Sequence, residues 1–351
     1  MQPGATMAGG GGAFAQRSMR AGSRAAVRAW RLIGAASALG LFFLSHPYWG
    51  IIHDAELYVG RAMADADPSG LGHDIFFALE GQSAFSIYPR LSGAFLHWVG
   101  ADRGALTLTV AGLCAWLAAL ALFGATLARG RLLWAAIVVT AVVPSYYGQA
   151  FRYAEQFATP RLPAEALVLA GLGALALGRP RLSLAALLLA AAVHPLMALP
   201  GLAVWAALLV QADRRWLVLS AGAGLLVAAA GLAGLPVAER LFRLMDPAWA
   251  EALSVNAYLF PSAWPASAFA VAAVQGVTIV LARPFIAGAA ARRVLAAILA
   301  VGTAGLALTV VAADCWLVVL VVQVQPWRAL WLLGLAGALT FPIAAAGLWR
   351  S

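Results

Sequence analysis

The stretch LSLAALLLAAAVHPLMALPGLAVWAALLV, residues 182–210, decides how this chain would cross a membrane. As one α-helix its 29 residues would extend about 43 Å, too long for a single upright crossing and short for two. Pro195 and Pro200 interrupt the run, and proline removes a backbone donor and clashes with a continuing helix. We therefore predict two short or re-entrant helices that meet near His194.

Apolar runs long enough to span a bilayer recur on both sides of this stretch. The 351-residue chain is 63% hydrophobic and only 11% charged, well below the charged fraction of soluble domains. The sequence predicts an all-α fold, a polytopic transmembrane helical bundle with about ten membrane crossings. The remaining predicted spans are Leu32–Ile52, Ala105–Ala128, Leu132–Phe151, Leu162–Gly178, Trp216–Leu235, Ala266–Ala282, Val294–Ala313 and Trp327–Trp349.

All 23 basic residues are arginine, and their positions orient the predicted spans. If residues 182–210 cross twice, 15 arginines lie on the cytoplasmic side and 8 outside, whereas a single crossing divides them 12 to 11. The positive-inside rule favours the first arrangement. We expect a multi-pass protein of the plasma (inner) membrane with both termini cytoplasmic. Residues 1–31 would form a basic cytoplasmic arm before a transmembrane domain at 32–351. Because this orientation accounts for most of the net charge of +9, no nucleic-acid partner is indicated.

The acidic residues lie almost entirely on the opposite side. Thirteen of the 14 carboxylates fall on the predicted outer side, and only Asp213 is cytoplasmic. Acids do little to set topology, so their one-sidedness indicates a catalytic or substrate-binding face. The predicted outer loops are residues 53–104, in which we expect interfacial helices, residues 152–165 and residues 236–265.

The first outer loop opens with His53-Asp54-Ala55-Glu56, where a span emerges. On a helix the two carboxylates would point about 200° apart, whereas in an extended segment both could face one site. Such a pair could share a divalent cation, Mg²⁺ or Mn²⁺, or one carboxylate could remove a proton from a nucleophile while its neighbour adjusts its pKa. The alternative is a solvated loop whose acids keep it out of the membrane.

The second outer loop holds Arg152 and Arg161 on the side where arginine is disfavoured. Each is either an ion-pair partner or an anion site. In the same loop, Pro163 followed by Glu165 fits a helix start, with the acid on the positive end of the helix dipole. We predict this structural role for Glu165.

Two further polar positions interrupt apolar sequence. His194 is the one ionisable group within the 182–210 run, and there it would make a hydrogen bond at a helix break or contact substrate or phosphate. Arg328, in Gln325-Pro326-Trp327-Arg328, begins the last predicted span on the outer side. It could snorkel to the interface or hold a lipid phosphate through its planar donor fork.

Together these features resemble the GT-C superfamily of integral membrane glycosyltransferases. The resemblance rests on the basic N-terminal arm and on four short motifs: Asp54-x-Glu56, Arg161-Leu162-Pro163-Ala164-Glu165, His194-Pro195 and Gln325-Pro326-Trp327-Arg328. Members of that superfamily transfer a sugar from a polyprenyl-phosphate donor to an acceptor on the outer face of the membrane.

The resemblance implies roles for individual residues. Asp54 would deprotonate the acceptor hydroxyl, Glu56 would assist it or bind a metal ion with it, and Arg328 and His194 would stabilise the departing lipid phosphate. The full set of predicted substrate-binding residues is Arg328, His194, Arg161, Arg152 and His53. The implied partners are a lipid-linked sugar donor, membrane lipids, and an acceptor that is a glycan, a lipid or a protein.

Two other classes of protein remain open at this stage: a transporter or lipid flippase, and a non-catalytic membrane partner subunit. Ion-coupled transporters usually place a carboxylate near the bilayer midplane. No aspartate or glutamate interrupts the middle of a predicted span, which favours chemistry at the membrane interface.

Overall fold

A computed structural model describes residues 26, 29–30, 32–79, 81–142 and 153–351. The predicted basic arm therefore lies outside the described residues except at three positions, and Arg152 lies outside them altogether. The described chain is all-helical, with 82% helix and no strands, which confirms the all-α part of the predicted fold class. Its one β-type pairing is an isolated bridge between Leu244 and Val318.

The helices follow one another with short connections. In chain order over the described residues they are α1 (Leu32–Ser45), α2 (Asp54–Ala66), α3 (Ile75–Leu79), α4 (Tyr88–Val99), α5 (Ala101–Leu127), α6 (Arg131–Val142), α7 (Arg161–Ala176), α8 (Pro180–Val193), α9 (Pro195–Ala212), α10 (Arg215–Leu232), α11 (Pro236–Leu241), α12 (Pro247–Ser254), α13 (Ala266–Ala282), α14 (Ala289–Thr309), α15 (Val319–Val324) and α16 (Leu330–Leu348).

Six helical stretches among the described residues are long and apolar enough to cross a membrane: 101–127, 195–212, 215–232, 266–285, 289–315 and 319–348. The shorter helices α1, α6 and α8 are also apolar. This pattern indicates a membrane protein, as the sequence predicted.

The 182–210 stretch breaks where its first proline stands. Helix α8 ends at Val193 and α9 begins at Pro195, leaving His194 between the two helices and outside both. The His194 side chain caps α9 by accepting a hydrogen bond from the Met197 N–H at 3.2 Å. Pro200 lies inside α9 and does not end it, so the predicted second interruption is wrong.

Helix α7 is the most deeply enclosed element near the candidate site, because α5, α8 and α9 all pack against it. Glycines allow two of these approaches. A Cβ on Gly112 of α5 would lie 2.6 Å from a Leu162 methyl of α7, and one on Gly201 of α9 would lie 2.9 Å from a Val168 methyl. The start of α7 is therefore held by a tight helical core.

The first predicted outer loop is itself folded. Helix α2 packs on α4 so closely that a Cβ on Gly93 would lie 2.6 Å from the Ala62 carbonyl oxygen. Several large apolar side chains of this region are exposed, as expected for interfacial helices; they include Ile75, Leu79, Phe85, Leu91 and Trp98.

The third predicted outer loop is fastened to the segment that follows α14. The Asp314 carboxylate accepts hydrogen bonds from the Ser262 backbone N–H at 2.9 Å and from its hydroxyl at 2.8 Å. Backbone bonds from Met245 to Leu317 and from Val319 to Arg243 complete the attachment. These bonds hold the segment that leads to Gln325 and Arg328.

Candidate functional site

Arg161, the first residue of α7, joins two carboxylates from different parts of the chain. Its Nη2 donates to Asp54 Oδ2 at 2.5 Å, and its Nε donates to Glu155 Oε2 at 2.9 Å. Nη2 also lies 2.8 Å from Glu155 Oε1. Both Arg161 and Glu155 are buried. Of the two roles predicted for Arg161, ion-pair partner or anion site, the structure shows the ion pair.

Asp54 occupies the open side of this ion-pair group. It is the first residue of α2, and its side chain retains 28% exposure. Its second oxygen, Oδ1, lies 3.0 Å from Nδ1 of His53, whose ring is 71% exposed. The Asp54 carboxylate is thus oriented by Arg161 from the interior and reachable from outside past His53.

Glu56 does not share this position. It lies two residues later in the same helix and is exposed, so its carboxylate points away from the Asp54 side. Because the segment is helical and not extended, Asp54 and Glu56 do not converge as a pair of metal ligands. Within the described residues, no group of three histidine, cysteine, aspartate or glutamate side chains could hold a metal ion.

Tyr58 lies one helical turn after Asp54 and faces the same group. Burial raises the pKa of Tyr58; the charges of Asp54 and Glu155 raise it further, and those of Arg161 and Arg328 oppose the rise. Its ring meets that of Tyr88 edge-on, with centroids 6.5 Å apart. Tyr58 therefore lies within electrostatic reach of all four charged side chains.

His194 faces the same arginines from the break between α8 and α9. Burial, then the nearby positive charges of Arg161 and Arg328, hold the pKa of His194 well below its usual value. The ring is therefore neutral near pH 7. Since Nδ1 accepts the Met197 N–H, the ring proton resides on Nε2. The side chain is consequently an uncharged hydrogen-bond donor.

Arg328 is held by its own short turn, the 3₁₀ segment Pro326–Ala329. Its Nε donates to Gln325 Oε1 at 2.6 Å, and its guanidinium carbon lies 5.4 Å from the centre of a Trp327 ring. We use the name "Arg161 cluster" for the whole arrangement, namely Asp54, Tyr58, Glu155, Arg161, His194 and Arg328.

Backbone strain concentrates at this cluster. Among the described residues, four that are not glycine have a positive φ, and three of them adjoin the cluster: His53 at 55°, Ala154 at 54° and Gln325 at 53°. Each precedes a charged member by one to three residues. Residues other than glycine rarely adopt a positive φ, and those that do are commonly found at functional sites.

Glu165 has a structural role of a different kind from the one predicted. Helix α7 begins at Arg161 with Pro163 in its first turn, as expected, which places Glu165 in the second turn, fully buried. Its Oε2 accepts hydrogen bonds from Trp116 Nε1 at 2.9 Å and from the Ala154 N–H at 3.0 Å. Glu165 therefore acts through side-chain hydrogen bonds that anchor the segment carrying Glu155, and not only through the helix dipole.

The structure brings together four of the predicted site residues, Asp54, Arg161, His194 and Arg328, and places His53 at the rim. Glu56 stays apart, and Arg152 lies outside the described residues. Sequence reasoning did not select Glu155 or Tyr58. The sequence did indicate both residues. An arginine on the outer side needs a counter-charge, which points to the nearby Glu155, and Tyr58 lies one helical turn from Asp54.

Comparison of the chain with protein-family models, with curated proteins and with solved structures gave no match.

Proposed function

We propose that the protein is a membrane glycosyltransferase of the GT-C type, which moves a sugar from a polyprenyl-phosphate donor to an acceptor on the extracytoplasmic face. The observation that carries the proposal is the Arg161 cluster. An accessible carboxylate, Asp54, is fixed by a buried arginine beside a second arginine, Arg328, and a neutral imidazole, His194. Base and anion-binding groups are the two functions that this transfer requires.

The proposed chemistry assigns one task to each group. Asp54 accepts the proton of the acceptor hydroxyl as its oxygen bonds to the anomeric carbon of the sugar. The bond from that carbon to the phosphate oxygen breaks, and its electron pair leaves with the phosphate. Arg328 and the Nε2–H of His194 would stabilise the negative charge on the departing lipid phosphate.

In this proposal Arg161 positions the base. Its guanidinium contacts one oxygen of Asp54 and both oxygens of Glu155, so an incoming phosphate would have to displace an existing partner to reach it. Arg328 is the cation assigned to the donor. This division differs from the sequence expectation, in which Arg161 was a candidate substrate-binding residue.

We also propose the finer topology. The ten crossings would comprise the six long stretches together with α1, α6, α7 and α8. Helices α7 and α8, of 16 and 14 residues, reach only about 24 and 21 Å, so the membrane around them would be locally thin or they would end below the headgroups. Both termini would be cytoplasmic in a plasma (inner) membrane, with the Arg161 cluster at the outer interface.

One observation favours a transporter instead. Glu165 is a fully buried carboxylate within a helix of the bundle, and its Oε1 has no hydrogen-bond partner among the described residues. Coupled transporters use buried carboxylates of this kind. The same residue has a structural role in our proposal, because its other oxygen holds Ala154 and Trp116.

The test compares Asp54→Asn with Glu56→Gln, its matched control in the same helical turn. Lipid-linked sugars and glycans of membranes that contain each variant at equal abundance would be measured by mass spectrometry. Removing a general base should lower transfer about 10²–10⁴-fold, so Asp54→Asn should lose the change in these pools while Glu56→Gln retains it. Unchanged pools in Asp54→Asn would refute the proposal, and loss in Glu165→Gln alone would favour the transporter.

A further inference from the structure

A line of polar side chains leads away from the Arg161 cluster along one face of α2. Asp54, Tyr58, Arg61 and Asp65 are spaced four, three and four residues apart, which places them on the same side of the helix. Arg61 Nη2 donates to Asp65 Oδ1 at 2.5 Å, and Nη1 donates to the Phe77 carbonyl at 2.6 Å. Through Arg61, the line is therefore hydrogen-bonded to α3 of the first predicted outer loop.

It ends at a pocket of about 430 Å³ between α2 and the segment before α4. This volume lies within the range of small-molecule sites. Polar and apolar surface contribute about equally to its walls, which are formed by Arg61, Asp65, Ser83, Ala84, Ser86, Pro89 and Arg90. A second space of about 300 Å³ shares Arg61 and Asp65 and extends toward Phe77.

The pocket and the Arg161 cluster share a supporting wall. The Ser86 hydroxyl donates to the Val193 carbonyl at 2.5 Å and accepts the Tyr88 N–H at 3.1 Å. The Ile87 N–H donates to the Ala192 carbonyl at 2.9 Å. Both acceptors belong to the last turn of α8, immediately before His194, so one wall of the pocket is bonded directly to the helix that carries His194 at its end.

We propose that this pocket binds the acceptor of the transfer, as an extended glycan that bears an anionic group. This inference rests on the proposed function. Two arginines and one aspartate leave the walls with one net positive charge. Arg61 is engaged by Asp65 and Phe77, whereas Arg90 is exposed and makes no hydrogen bond or ion pair to any described residue. Arg90 is thus the side chain available to a carboxylate or phosphate.

The length of the occupant follows from the helix. Along α2 the rise of 1.5 Å per residue places Arg61 about 10 Å and Asp65 about 16 Å from Asp54. A single sugar ring held at Arg90 and Arg61 would not reach the Asp54 carboxylate. An oligosaccharide could bind the pocket through one ring and present a hydroxyl of another ring to Asp54.

The test measures binding alone, by calorimetry on the full chain in lipid nanodiscs without any donor. The probes are trigalacturonate, an extended carboxylated glycan, neutral maltotriose of equal length, and galacturonate as a single ring. The variants are Arg90→Gln and Arg103→Gln, the second being an exposed arginine outside the pocket. Arg90→Gln should weaken trigalacturonate binding about tenfold, the effect of losing one charged hydrogen bond, and Arg103→Gln should not change it.

Maltotriose and galacturonate should bind the unmodified protein more weakly than trigalacturonate, and Arg90→Gln should not affect the neutral probe. Absence of trigalacturonate binding, or equal binding to Arg90→Gln and the unmodified chain, would overturn the pocket assignment. Because no transfer is measured, the two proposals fail separately. If Asp54→Asn abolishes transfer but the unmodified chain does not bind trigalacturonate, only the pocket assignment is refuted. If the unmodified chain binds trigalacturonate selectively but shows no transfer activity, only the proposed glycosyltransferase function is refuted.

Discussion

Replacing Arg161 with methionine should sharply destabilise the protein, because two carboxylates would lose their counter-charge. Glu155 is only 8% exposed, so water cannot replace the guanidinium, while Asp54 at 28% can recover part of its hydration. Breaking a buried ion pair by removing one partner costs about 3–5 kcal/mol. The partial exposure of Asp54 places the expected loss at about 3 kcal/mol, measured by reversible unfolding in mixed micelles followed by circular dichroism.

A double-mutant cycle identifies the cause of that loss. In Arg161→Met/Glu155→Gln the buried uncompensated charge is gone, so about 1–3 kcal/mol of the stability should return. The exposed arginine variant Arg103→Met should stay within about 0.5 kcal/mol of the unmodified chain. Strictly additive effects, or a loss below about 1 kcal/mol for Arg161→Met, would show that the ion pair behaves like a surface pair and would refute this reasoning.

Three further predictions concern side chains around the cluster. Glu165→Leu should cost about 1–3 kcal/mol for each of the two buried donors that it leaves unpaired, on Trp116 and Ala154, and Glu165→Gln should cost much less; equal losses in the same unfolding assay would contradict this. The pKa of His194 is lowered from 6.5 in the folded state, so the unfolded chain binds the extra proton and stability should fall as pH drops below that value. His194→Asn, which retains a capping side chain, should lack this loss between about pH 7 and pH 5. Gln325→Gly relieves a left-handed residue but removes the acceptor of Arg328, so stability should change by less than about 1 kcal/mol while transfer falls about tenfold in a donor-turnover assay. Gln325→Ala keeps the unfavourable left-handed backbone and also removes the acceptor of Arg328, so it should lower both stability and transfer.

The helix positions followed well from apolar run length and proline, because these act locally. Pro195 marks a helix start, since proline fits the first helical position. Pro200 was expected to interrupt the same run but lies inside α9. A packed bundle can supply other partners for the backbone group that an internal proline leaves unpaired, which a linear pattern does not reveal.

The site was harder to predict because spacing along the chain does not fix the direction of each side chain. Glu56 was paired with Asp54 on the sequence, and the helical start of α2 separates them. Pro163 lies in the first turn of α7 as its position indicates, but the helix directs Glu165 toward Trp116 in the interior, which the linear pattern does not show. Arg161 was recognisable as unusual from topology alone, but its partner Glu155 depends on the turn at Ala154.

Helix α10 offers a practical handle on this molecule. None of its residues is buried, and its main contacts are with α9 and α11, away from Arg161. Fluorophores or spin labels attached there would report on the chain without touching the ion pairs, once the exposed native thiols Cys114 and Cys315 had been replaced. A helix with no buried residue is therefore a suitable place for a label that leaves the enclosed charges undisturbed.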